Sequence, residues 1–235
     1  MFHKRVLRTG LVVGLMAISA QVLAVPEAIS AVYNVYRNNT PVGYLESRLQ
    51  YAGGGYEYSK STRATGIARL LTKARVTEKS TGKAAGHRLI PLSYLYDERT
   101  RSKTRIEQAR FVNGQVSGIY KDKAYSLAVP ANVLDRATLE LAVARDLKRA
   151  LPHLVYQVME RGKIKTYTFV RQGSERLRTA AGEFDTIKVA VKRSDNSHET
   201  IYWMARQLDY LPVKMFHREK GDVITTDLNS YRRGG

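Results

Sequence analysis

Cysteine is missing from all 235 residues. The chain therefore forms no disulfide, carries no lipid on a lipobox cysteine and offers no thiolate to a metal, so its stability rests on a hydrophobic core. Histidine is scarce: apart from His3 there are His87, His153, His198 and His217, without the i, i+4 spacing of a helical zinc pair, and neither a metal site nor a cofactor is expected. Catalytic signatures are lacking as well. Gly53-Gly54-Gly55 is not followed by Gly-Lys-Ser/Thr and reads as a hairpin turn. No Gly-x-Ser-x-Gly occurs, and Ser174, Ser194 and Ser197 beside polar neighbours read as turn chemistry. Glu183 and Asp185 share a strand face and could form an acid/base pair, but beside Gly182 they read as solvated. The expectation is a protein that is not an enzyme.

Acidic residues are few, 21 against 39 basic ones, giving a formal charge of +18. Long apolar runs are confined to the start of the chain. There His3, Lys4, Arg5 and Arg8 precede an uncharged stretch from Gly10 to Ala20, and Val22-Leu23-Ala24 supplies small residues where a signal peptidase reads. This is the pattern of a secretory signal peptide, residues 1–24, cleaved near Ala24. The stretch is shorter than the roughly 20 apolar residues of a spanning helix; the alternative is an uncleaved amphipathic anchor. A single exported, periplasmic domain over residues 25–235 is expected. It keeps 36 basic residues against 21 acidic ones, a charge of +15 once Lys4, Arg5 and Arg8 are set aside. Export excludes nucleic acid as the partner of this charge. The polyanions of the envelope remain: phospholipid head groups, lipopolysaccharide phosphates and acidic glycans. The alternative is a merely soluble basic surface.

Apolar and polar residues alternate along most of the chain. Leu45, Leu49 and Tyr51 alternate with Glu46, Arg48 and Gln50, and Ile187, Val189 and Val191 alternate with Lys188 and Lys192. Similar segments cover 31–37, 56–65, 68–78, 89–97, 103–112, 116–120, 124–129, 155–160, 165–171, 175–180, 200–204, 213–218 and 223–229. Turns fall at Gly53-Gly54-Gly55, Arg161-Gly162, Ala181-Gly182, Asp195-Asn196 and Lys220-Gly221-Asp222. One helix interrupts them, over about 136–151. Asp135 caps it, Leu134 packs on Leu139, the stripe Leu139, Ala142, Val143, Leu147, Ala150 and Leu151 faces the sheet, and Pro152 ends it. The fold class expected is mainly β: a highly curved antiparallel sheet, an open or half barrel, with one amphipathic helix across its concave face.

Four segments carry a resemblance. Tyr33-x-Val35-Tyr36 with Gly43, Leu89-Ile90-Pro91-x-x-Tyr94, Gly182-x-Phe184-x-Thr186-x-Lys188-Val189, and Trp203 with Leu211-Pro212-Val213-Lys214 resemble the signature of a bacterial exported family, domain of unknown function 3108. One departure is visible: the family usually has Asp-Pro-Leu-Ser at the helix start, whereas Asp135 is followed by Arg136-Ala137-Thr138. The resemblance implies no activity. It implies an architecture similar to periplasmic lipoprotein carriers, in which a curved sheet wraps an apolar groove under a helix.

A concavity that one helix cannot fill would accept an acyl chain. Its candidate wall is Tyr33, Tyr51, Tyr94, Tyr96, Phe169, Phe184 and Trp203, with Leu139, Val143 and Leu147 on the helix as lid; the alternative is that these rings are core. Arg99, Arg101, Lys103 and Arg105, interleaved with hydroxyls, are candidates for gripping anions, with Arg63, Arg69, Lys73 and Arg75 adding to them; the alternative is a solvated hairpin tip. An outer-membrane barrel is disfavoured by the basic residues along the strands and by the end at Arg232-Arg233-Gly234-Gly235. The expected function is non-enzymatic: a carrier for an amphiphilic, lipid-like ligand of the cell envelope, with peripheral membrane contact. The alternative is a scaffold that binds an anionic glycan, lipopolysaccharide or a partner protein through its basic outer surface.

Overall fold

The computed structural model describes residues 25–192 and 198–234. The expected signal segment and the Asp195-Asn196 turn, with Ser194 and Ser197, lie outside the described residues. The strands are β1 (Ile29–Arg37), β2 (Thr40–Ala52), β3 (Gly55–Ala64), β4 (Arg75–Ala85), β5 (Arg88–Arg99), β6 (Thr104–Val112), β7 (Gln115–Tyr120), β8 (Lys123–Ala128), β9 (Leu154–Glu160), β10 (Lys163–Thr179), β11 (Gly182–Lys192), β12 (His198–Ala205), β13 (Leu211–Glu219) and β14 (Asp222–Arg233). Helix α1 (Gly66–Thr72) joins β3 to β4, and α2 (Arg136–Lys148) lies between β8 and β9. No described helix is long and apolar enough to cross a membrane.

All these strands form one antiparallel sheet, ordered β8 to β1 and then β14 back to β9. Alternation assigns the faces: in β1, Ile29, Ala31, Tyr33 and Val35 are buried and the residues between them are not. Because β1 pairs with β14, the first and last strands meet in mid-sheet, and the sheet's two edges, β8 and β9, are consecutive in the chain. The sheet is not closed by a ladder between those edges. Side chains approach there instead: the Tyr125 hydroxyl lies 3.3 Å from Met159 Sδ, and the Arg161 N–H donates to the Glu107 carboxylate. Leu134 covers part of the β9 edge, donating to the Gln157 carbonyl at 2.9 Å and accepting from the Met159 N–H at 2.8 Å.

Helix α2 fills the concavity. Nine of its thirteen residues are buried and none is exposed, so it is an interior helix and not a cover on the surface. One side packs Leu139, Ala142, Val143 and Leu147 on Leu154, Tyr156, Val158, Phe169, Val189 and Met204. Elsewhere on the helix Ala137 and Leu141 join the main core, and beside them a polar cluster meets β3 and β4. Asp135 Oδ1 accepts the Thr138 N–H at 2.7 Å, and Oδ2 accepts the hydroxyls of Ser80 at 2.5 Å and Thr138 at 2.9 Å. The Tyr56 hydroxyl joins this cluster, 2.8 Å from Thr138 Oγ1. It reaches that far because its ring lies against Gly82, where an added Cβ would stand 2.5 Å from the ring.

The sequence expectation needs three corrections. Residues 68–78, expected as a strand, divide into α1 and the start of β4. The segments 165–171 and 175–180 are one strand, β10, in which a bulge at Gln172-Gly173 resets the register between Arg171 and Ser174. Helix α2 stops at Lys148, short of Ala150 and Leu151: Ala150 turns left-handed at φ 54°, and Ala150 N–H to Leu147 O with Leu151 N–H to Asp146 O closes a Schellman motif.

The cap carries a pH signature. Burial pushes the Asp135 carboxyl up from 3.8 to about 6, against the hydrogen bonds from Ser80 and Thr138 that favour its anion. Between those values the folded protein holds the proton more firmly than the unfolded chain. The group's contribution to stability is therefore greatest below the lower value and declines as pH rises through the upper one. Asp135→Asn keeps an acceptor for the Thr138 N–H and abolishes that decline. In urea unfolding from about pH 4 to about pH 7, the wild type is expected to lose about 2 kcal/mol more than the variant.

Candidate binding cavity

What α2 leaves unfilled is a cavity of about 490 Å³, within the range of small-molecule sites. It lies between α2 and the inner face of the sheet. Its floor is apolar: Leu139 and Val143 of the helix, Phe169 and Val191, then Met204, Met215 and Ile224. Alternation explains this, since Thr200, Tyr202 and Met204 share one face of β12, opposite Val191, Val189 and Ile187 of β11 and His217, Met215 and Pro212 of β13. Arg161 in the β9–β10 turn, Lys165 near the start of β10, and His198 and Glu219 at the ends of β12 and β13 mark its mouth.

The remaining wall is charged. Lys60 of β3 stands between two carboxylates, 2.7 Å from Glu78 and 2.5 Å from Glu140 of α2. Tyr58 donates to Glu140 at 3.0 Å and Tyr94 to Glu78 at 2.7 Å. Arg136 lies over the Tyr96 ring at 5.1 Å, and Glu160 accepts from Tyr167 at 2.7 Å and pairs with Lys165 at 3.0 Å. Burial opposes ionisation of Glu78, but Lys60 and Arg136 outweigh it and hold the carboxyl at about 2. Burial likewise opposes the Lys60 charge, and Glu140 and Glu78 outweigh it, raising that pKa. The interior thus joins an oily floor to a wall of satisfied ion pairs.

A family profile described as protein of unknown function DUF3108 matches residues 32–228. The chain belongs to that family. In fold this DUF3108 member is similar to a β-barrel-like protein of domain of unknown function DUF1849 from Brucella abortus, with 10% identity, 89% of this chain and 99% of that chain covered, and a TM-score of 0.62. A candidate lipoprotein from Parabacteroides distasonis (12% identity, 89% and 98% covered, TM-score 0.36) is too distant in structure to bear on it. The same holds for a candidate exported protein with a YmcC-like fold from Bacteroides fragilis (9%, 88% and 96%, TM-score 0.30). No curated protein matches it significantly.

Of the wall residues expected from sequence, Phe169, Leu139 and Val143 line the cavity. The others do not. Leu147 packs in the cluster beneath the helix. Tyr33 and Tyr94 are core, and Tyr51 donates to the Pro26 carbonyl at 2.8 Å. Tyr96 lies under Arg136, outside the cavity lining. Phe184 meets Tyr231 edge-on. Trp203 turns to the face of β12 opposite Tyr202 and Met204, where Lys188 and Lys214 flank its ring and its indole N–H donates to Glu175. The expected anion grip is occupied within the chain: Arg99 pairs with Asp97, Lys103 and Arg105 pair with Glu98, and Arg101 donates to the Leu70 carbonyl. Glu183 pairs with Arg176 and Arg178, and the Asp185 carboxylate accepts from Gln207. The expected oily interior is corrected too, because α2 brings Glu140 and Arg136 inside and the sheet answers with Lys60 and Glu78.

Sequence distance also hid a cluster at the mouth. His198, His217 and Glu219 gather ligand atoms within 4.8 Å of one another, the two imidazoles stacking at 6.1 Å. Only the β12–β13 register, His198 opposite Glu219 and Thr200 opposite His217, could have revealed them. Thr200 takes His217 Nδ1 at 2.8 Å, and Glu219 lies 3.5 Å from His198 Nδ1 and 3.6 Å from His217 Nε2. Three such donors could hold a divalent cation with positions left open, but their contacts with one another account for the arrangement equally well.

The Lys60 triad makes the site testable by stability. Lys60→Met leaves Glu140 without its ion-pair partner and Glu78 with Arg136 as its remaining cation, and at neutral pH it is expected to cost about 3 kcal/mol. In the wild type the depressed Glu78 group contributes stability above its unfolded value of 4.5 and loses it as pH falls towards 2. Without Lys60 that depression is smaller, so the variant's deficit shrinks in acid. Denaturant midpoints at neutral and acid pH check both parts.

Proposed function

We propose that this protein is an extracytoplasmic binding or carrier protein for a single-chain amphiphile of the cell envelope, acting by partition without covalent catalysis. The observation that carries the reading is the two-sided cavity: Phe169, Met204, Met215, Ile224 and Val143 on one side, the Lys60–Glu140–Glu78 cluster with Glu160 and Lys165 on the other. An apolar tail would rest on the first, each buried methylene contributing about 0.8 kcal/mol, and a polar head would hydrogen-bond to the second. The volume suits one acyl chain or a compact amphiphile better than a diacyl lipid. The N-terminal secretory pattern supports a location outside the cytoplasm. The charged cluster reads as a binding wall because its members are paired, without a free nucleophile beside a base.

Native mass spectrometry of protein recovered from the periplasm, with uptake of a fluorescent fatty acid in vesicle-free buffer, tests this. Met215→Trp and Ile224→Trp start from half-buried positions on the cavity, so their rings occupy its space without displacing core. A co-purifying amphiphile, and uptake weakened about tenfold or more by either variant at unchanged thermal stability, are expected. Uptake indifferent to both variants, or no amphiphile and no uptake, overturns the proposal.

A further inference from the structure

Helix α1 contributes no buried residue to the fold. Its apolar side chains point outwards: Ile67, Leu70 and Leu71 are 75%, 71% and 68% exposed. They stand at i, i+3 and i+4, on one face of the helix. Backbone bonds hold the helix in this attitude. Thr65 N–H reaches the Val42 carbonyl at 3.0 Å, Arg101 N–H reaches Thr72 O at 2.7 Å, and the Arg101 guanidinium reaches Leu70 O at 3.0 Å. The basic β5–β6 loop thus fixes the last turn of α1, and core packing has no part in setting its outward face.

Cations surround this apolar face. Arg69 and Lys73 are exposed on the helix or at its end, and Arg63 and Arg75 are exposed on the strands that flank it. No carboxylate among the described residues pairs with any of these four. Arg63 stands opposite Arg75 across β3 and β4, and Arg75 opposite Arg99 across β4 and β5. Like charges directly opposed across a sheet destabilise it, so the row is built for something other than the fold. Strand direction places α1 at the same end of the sheet as the turns at Asn38-Asn39, Arg161-Gly162 and Lys220-Gly221, the end at which the cavity has its mouth.

We propose that α1 and the arginine row form a docking tip for the surface of an anionic lipid bilayer. Ile67, Leu70 and Leu71 enter the boundary between head groups and acyl chains while Arg63, Arg69, Lys73 and Arg75 meet lipid phosphates. Docked in this way, the cavity mouth faces the membrane. Charge complementarity and the grouping of exposed leucines and isoleucine within a cationic surround favour a bilayer over a soluble polyanion, which needs no apolar wedge.

The test is co-sedimentation of protein recovered from the periplasm with vesicles of phosphatidylethanolamine and phosphatidylglycerol, against vesicles of phosphatidylcholine alone. Binding to the anionic vesicles is expected, weakening as salt rises. Leu70→Ser/Leu71→Ser and Arg63→Glu/Arg75→Glu are each expected to weaken it about tenfold or more. Leu70→Trp is expected to give a blue-shifted emission component on binding. Fatty-acid uptake without vesicles reads the cavity alone, so the tip variants keep it, and Ile224→Trp keeps docking. The proposal is overturned by absent binding, by equal binding to phosphatidylcholine, or by serine variants that bind like the wild type. It is also overturned if analytical ultracentrifugation shows a dimer that Leu70→Ser/Leu71→Ser dissociates while vesicles stay unbound, since the face is then a contact between copies.

Discussion

Everything in the interior follows from where the sheet's two edges fall in the sequence. Because β1 pairs with β14, the free strands are β8 and β9, neighbours in the chain, and the connection between them has to cross the opening. That connection carries α2. A helix enclosed by strands has no solvent face on which to leave polar groups, so each must find a partner inside. Asp135 finds Ser80, Glu140 finds Lys60 and Tyr58, and Asp146 finds Arg145 and Tyr156.

The same constraint shapes the cavity. Where Leu139 and Val143 face β10 to β13, the remaining space is apolar; where Glu140 and Arg136 face β3 and β4, it is charged. The mixed lining of the cavity therefore arises from one stretch of one helix, in which Leu139 and Val143 stand beside Arg136 and Glu140. The cavity mouth shares an end of the sheet with α1, the one described helix that buries nothing.

The strands were legible because period-two alternation is local. Asp135 was legible as a cap because capping spans three residues. Helix α1 was not: seven residues with an unburied apolar face, followed at once by β4, blend into a strand-like pattern. The β10 bulge likewise split one strand into two, since the extra residues at Gln172-Gly173 break the alternation until its flanks are seen paired to β11. Among site residues, Phe169, Leu139 and Val143 could be named from apolar periodicity. Lys60 with Glu140 and His198 with His217 could not, because these partners meet only through helix placement or strand register.

Composition and local pattern by themselves determined an amphipathic antiparallel chain without disulfides, one capped helix late in the sequence, and a strong excess of positive charge. Tertiary structure alone decided which charged residues go inside, how much of the concavity α2 fills, and that the expected anion-gripping loop spends its cations on Asp97, Glu98 and the end of α1. The physical reason is that alternation fixes which residues share a face. Only the pairing of β1 with β14 and the burial of α2 fix what that face meets.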